Sequence, residues 1–95
     1  MIDRSIINTK IKEKDYSNCI YLLFNEIKDI LVKKVKEKNP NYVYITIGDL
    51  KNKALRYLSS DLQSYAIILY TLALDPEEDE LYTLNLLFEI YKSLI

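Results

Sequence analysis

From Asp15 to Lys38 the apolar side chains recur every three or four residues, at Tyr16, Cys19, Ile20, Leu23, Phe24, Ile27, Ile30, Leu31 and Val35. That spacing puts them on one face of a helix and leaves Asn18, Asn25, Lys28, Asp29, Lys33 and Lys36 on the other. The pattern predicts a long amphipathic helix whose apolar stripe has to be covered by other elements. Asp15 is suited to cap its start, Lys33, Lys34, Lys36 and Lys38 complement the negative end of its dipole, and Asn39-Pro40 stops it. The preceding stretch, Ile2 to Lys14, reads as a shorter and weaker helix.

The rest of the chain divides at turn and cap signals. Residues 41–47 alternate and are β-branched or aromatic, which taken alone suggests a short strand. No second strand is there to pair with it, so the segment reads as an extended connector. Either Tyr42 and Tyr44 or Val43 and Ile45 then cover one end of the helical core. Thr46 and Asp49 have capping-box spacing, and a helix should run from there to about Leu58 through Leu50, Ala54, Tyr57 and Leu58. Ser59-Ser60-Asp61 interrupts the pattern, and Ser60 with Gln63 offers a second box. The helix that follows is expected to bury Leu62, Tyr65, Ala66, Leu69, Leu72 and Ala73, unless the two are one kinked helix. Asp75-Pro76-Glu77-Glu78 is predicted to open the last helix, with aspartate as cap and proline in the first position. Its apolar residues, Leu81, Leu84, Phe88, Tyr91 and Ile95, are widened by Leu87, Ile90 and Leu94, so it should meet more than one neighbour. The expected fold is all-α, an antiparallel bundle of about four helices forming a single domain over residues 1–95.

The chemistry available to such a bundle is narrow. The chain has no histidine, the usual general base and metal ligand at neutral pH. Its single glycine, Gly48, cannot make a glycine-rich phosphate loop. Cys19 is the only cysteine and sits on the buried stripe, so it reads as a small core residue and excludes an internal disulfide. The run Asp75, Glu77, Glu78, Asp79 and Glu80 could offer oxygens to a hard cation, but acidic residues also stabilise the first turn of a helix without any ligand. Asp49, Asp61 and Glu89 fall at helix starts or on a polar face. No catalytic residue, metal site or cofactor is therefore expected, and the chain reads as a non-enzyme. The first residues lack the features of a signal peptide, and no apolar run approaches the roughly 20 residues that span a bilayer. With its lone cysteine, this points to the cytoplasm and away from a membrane. The abundance of lysine, isoleucine and asparagine suggests an AT-rich microbial or viral genome.

Binding remains, and two surfaces compete for it. Nine tyrosines supply bulk with a polar end, which suits rims and interfaces. Tyr65 and Tyr70, with Leu81, Leu84, Leu87, Phe88 and Tyr91 on the last helix, are the candidate interface of a homodimer. The charge is divided, +3 through residue 40 and −4 beyond it, which favours antiparallel pairing. The second surface is the basic cluster Lys33, Lys34, Lys36 and Lys38 followed by Tyr42 and Tyr44. It suits a single-stranded nucleic acid, with lysines on phosphates and a tyrosine stacked on a base. The overall charge of −1 and the interruption by Glu37 make nucleic-acid binding the alternative to a protein interface.

Lys12-Glu-Lys-Asp-Tyr-Ser-Asn-Cys-Ile-Tyr-Leu-Leu-Phe-Asn-Glu-Ile27 resembles the second helix of HEPN domains, small prokaryotic helical bundles often linked to nucleotidyltransferases. The lysine-rich helix end, the short loop and Thr46-Ile-Gly-Asp-Leu50 are similar to the family's next elements, and Leu74-Asp-Pro76 falls where it carries a turn before the last helix. The resemblance implies an up-and-down bundle, homodimerisation and a partner such as a nucleotidyltransferase or a toxin–antitoxin component. Catalytic members cut RNA with a closely spaced arginine and histidine; Leu72-Ala-Leu-Asp-Pro-Glu77 has neither, which implies a non-catalytic member. Tyr65-Ala66, Tyr70, Ala73-Leu74 and Asp75-Pro76 also resemble, less closely, the second half of a tetratricopeptide repeat.

Overall fold

A computed structural model of the chain describes residues 16–95. The expected cap at Asp15 and the short helix over Ile2 to Lys14 lie outside the described residues. Among those described the protein is all-α, with four helices and no strand: α1 (Tyr16–Lys38), α2 (Ile47–Tyr57), α3 (Ser60–Leu74) and α4 (Glu80–Leu94). They gather into two compact units, one of residues up to Ile27 with Glu77–Ile95, the other of Lys28–Pro76.

Helix α1 follows its apolar stripe closely. Cys19, Leu23, Ile27, Leu31 and Val35 are each fully buried and each four residues from the next. At 3.6 residues per turn a step of four overshoots by about 40°, so the buried stripe winds slowly around the helix. The helix ends as expected. Lys36 and Lys38 occupy its last turn, and Pro40 biases Asn39 away from helical geometry. Two backbone bonds close the turn, from Asn39 N to the Val35 carbonyl at 2.8 Å and from Tyr42 N to the Asn39 carbonyl at 2.9 Å.

In the unit formed by Lys28–Pro76, the connector before α2 is neither helix nor strand and places Tyr42 inward. Tyr42 is 5% exposed, whereas Val43 and Ile45 are 69% and 75% exposed. Helix α2 starts at the predicted cap. Thr46 has extended backbone angles, and its hydroxyl accepts from Asp49 N at 3.1 Å. Leu50 and Ala54, one turn apart, are its buried residues. Leu58 and Ser59 are both extended, so α2 and α3 are two helices and not one kinked helix. They form an antiparallel hairpin. Gln63, near the start of α3, bonds to the end of α2, and Tyr70, near the end of α3, lies against Gly48 at the start of α2.

Three features depart from the sequence pattern. The predicted box of Ser60 with Gln63 does not form: the cap residue is Ser59, whose side chain bonds no amide. The Gln63 amide nitrogen instead donates to the carbonyl of Leu58 at 2.8 Å and that of Leu55 at 3.4 Å. There it satisfies acceptors that the end of α2 would otherwise leave unbonded. Ala73, expected in the core, is exposed, and only Ala66 and Leu69 of α3 are fully inside. The last helix also begins later than Asp75-Pro76. Asp75 is the C-cap of α3, its N–H bonded to the Thr71 carbonyl at 2.9 Å, and the proline after it favours extended geometry. Residues 76–80 hold no apolar side chain that helix formation could bury, and packing of an apolar face supplies most helix stability. The cap actually used is Asp79, whose carboxylate accepts from Tyr82 N at 3.1 Å.

In the other unit, α4 buries Thr83, Leu84, Leu87, Ile90 and Tyr91. Ser17 Oγ donates to Glu80 Oε2 at 2.7 Å, which ties the first turn of α1 to the first turn of α4.

Leu23→Ala or Ile27→Ala should destabilise the protein by about 2–5 kcal/mol, because each leaves a cavity under the stripe of α1. Thr46→Ala should cost about 1 kcal/mol through loss of the cap of α2. Urea denaturation followed by circular dichroism measures both.

Candidate functional site

Three of the five tyrosines of the Lys28–Pro76 unit are paired with cations. Lys28 Nζ sits 4.9 Å from the Tyr44 ring centre, Lys51 Nζ lies 4.3 Å from that of Tyr70, and the Arg56 guanidinium is 5.6 Å from that of Tyr57. Contacts of this kind are worth roughly 0.5–1 kcal/mol each at exposed sites, and they hold the rings against the surface. A Cβ at Gly48 would come within 3.3 Å of the Tyr70 ring, so the only glycine in the chain makes room for a tyrosine.

These placements revise the basic surface expected from the sequence. Lys33, Lys36 and Lys38 are exposed and Lys34 is half-buried. Tyr42 is buried, and Tyr44 is half-buried with Lys28 against its ring. Tyr42 therefore presents no open face on which a base could stack, and Lys28 covers one face of Tyr44. The end of α1 instead meets the α2–α3 turn, and between them lies an open cavity of about 430 Å³. Lys34, Glu37 and Lys38 line one side of it, and Tyr57, Leu58, Ser59 and Leu62 line the other. Residues 58–62 carried no binding signal in the sequence, because their role comes only from the helix end packed opposite.

The expected interface divides in a similar way. Leu84, Leu87 and Tyr91 are consumed by the chain's own core and offer no surface. Phe88, Tyr65 and Tyr70 are half-buried, and Leu81 is exposed. Exposed apolar residues that the candidate interface omitted include Tyr82 on α4 and Ile67 and Leu74 on α3. Cys19 is fully buried, and among the described residues no three of the acidic or cysteine side chains converge to hold a metal ion. Among the same residues no helix is long and apolar enough to cross a membrane.

Among the described residues two buried oxygens, Tyr42 OH and Thr83 Oγ1, have no hydrogen-bond partner. The Tyr42 hydroxyl is pushed up to about 12, chiefly by burial, with the Asp49 carboxylate and Tyr44 adding to the effect. Both the desolvation and the negative charge oppose forming a phenolate there.

Comparison with protein-family models, with curated proteins and with solved structures finds no match for this chain.

Tyr42→Phe should raise stability by about 1 kcal/mol, since it removes a buried hydroxyl that bonds to nothing and keeps the ring. It should also change the alkaline limb of the stability curve. An unfolded tyrosine ionises near pH 10, whereas Tyr42 keeps its proton to about 12 when folded. The native state therefore binds more protons in that window, and stability falls as pH rises through it. Urea midpoints measured at neutral pH and up to pH 11 should show a shallower fall in the variant.

Proposed function

We propose that this protein is a non-enzymatic interaction module that self-associates, with the outer face of α3 as its contact surface. One observation carries this reading. From Leu62 to Leu74, α3 contains no charged residue, and its apolar side chains lie all round the helix. A helix of that kind is normally enclosed, yet Ile67 and Leu74 are 42% and 67% exposed. Positions 67, 71 and 74 fall on one face, so Ile67, Thr71 and Leu74 form a single uncharged stripe.

A second copy of the chain suits this stripe. Two such faces meet without like-charge repulsion, and a two-fold interface uses the same patch on both partners. The division of charge along the chain, +3 through residue 40 and −4 after it, brings unlike regions together in an antiparallel pair. The absence of histidine and the burial of Cys19 support a binding role over a catalytic one.

Light scattering coupled to size exclusion should give a dimer mass at micromolar concentration. Ile67→Glu with Leu74→Glu should convert it to a monomer whose circular dichroism remains helical, because both positions are exposed. A wild-type protein that is monomeric throughout the micromolar range would refute the reading.

A further inference from the structure

We infer that the cavity between the end of α1 and the α2–α3 turn is a binding site for a nucleotide, with its phosphate held by Lys34 and Lys38. These two lysines are four residues apart and so share a helix face, and both line the cavity. Neither has an ion-pair partner among the described residues. They face Ser59, the cap residue of α3, whose hydroxyl bonds to no amide. Two unpaired ammonium groups and an uncommitted hydroxyl around one space make a set of donors suited to an anion.

The remaining lining selects among anions. The volume of about 430 Å³ lies within the roughly 300–1,000 Å³ of small-molecule sites and is generous for a bare phosphate. Leu58 and Leu62 provide an apolar wall against which the face of a planar base can lie, and Tyr57 beside them has the Arg56 guanidinium over its ring. Glu37, on the lysine side, is a hydrogen-bond acceptor, which suits the exocyclic amine of a base and not a ligand that is only anionic. The shared chemistry is a nucleotide unit, either free or within a single strand. The site is separate from the outer stripe of α3 and does not depend on self-association.

The test titrates the full chain, labelled with nitrogen-15, with inorganic phosphate, with adenosine monophosphate and with a short single-stranded RNA. The expected result is saturable shifts in the amide resonances of residues 34–38 and 57–62 with a nucleotide probe, at lower concentration than with phosphate. Saturation by adenosine monophosphate identifies a free nucleotide as the source; saturation by RNA alone identifies a single strand. In the RNA case, log affinity should fall with log salt by about 0.7 per phosphate neutralised. Lys34→Ala with Lys38→Ala should weaken binding about tenfold or more and flatten that slope, while Lys51→Ala with Lys53→Ala on α2 should leave both unchanged. The inference is overturned if neither nucleotide probe moves these resonances, if phosphate alone binds equally well, or if the Lys34/Lys38 variant binds like wild type.

Discussion

The burial of one stripe on α1 is the constraint on which the rest of the protein depends. Cys19, Leu23, Ile27, Leu31 and Val35 are all fully enclosed, and the helix that carries them contributes to both compact units. Its first turns supply Cys19, Leu23 and Ile27 to the unit that contains α4. Its later turns supply Leu31 and Val35 to the unit that contains the α2–α3 hairpin. Burying a leucine, isoleucine or valine side chain is worth roughly 1.5–3 kcal/mol, so neither unit can dispense with its share. A helix committed in this way leaves function to its ends and to the elements packed on it.

Tyrosine fills the space that remains. Tyr42 and Tyr91 are enclosed, while Tyr44, Tyr57 and Tyr70 lie half-buried with a lysine or arginine against the ring. These rings join core to surface, and the cations that hold them are withdrawn from any general basic patch. Lys34 and Lys38 differ in facing a cavity. In the same unit, α3 presents an uncharged outer stripe. The proposed self-association and the proposed ligand binding thus use different surfaces, and neither requires a catalytic group.

The elements were largely legible in the sequence because each rests on local chemistry. Helical spacing located α1, the Thr46 cap located α2, and Pro40 ended α1 where expected. The start of α4 was misread because Asp75 and Asp79 both have cap chemistry, and only packing distinguishes a helix that begins at Pro76 from one that begins at Glu80. Gln63 was misread for a related reason. Its spacing from Ser60 suggests a local bond, whereas the carbonyls at the end of α2 compete for its amide and win.

The candidate surfaces were less legible than the helices. Leu84, Leu87 and Tyr91 are as apolar as Ile67 and Leu74, and nothing in their identity tells which belong to the core and which face outward. The sequence by itself determined that the chain is helical, where α1 and α2 begin or end, and that histidine chemistry is absent, since periodicity, capping and composition act through neighbours in the chain. Only the tertiary structure decided which side of α3 is left open and which lysines face residues 57–62, because burial and convergence depend on side chains that meet from distant parts of the sequence.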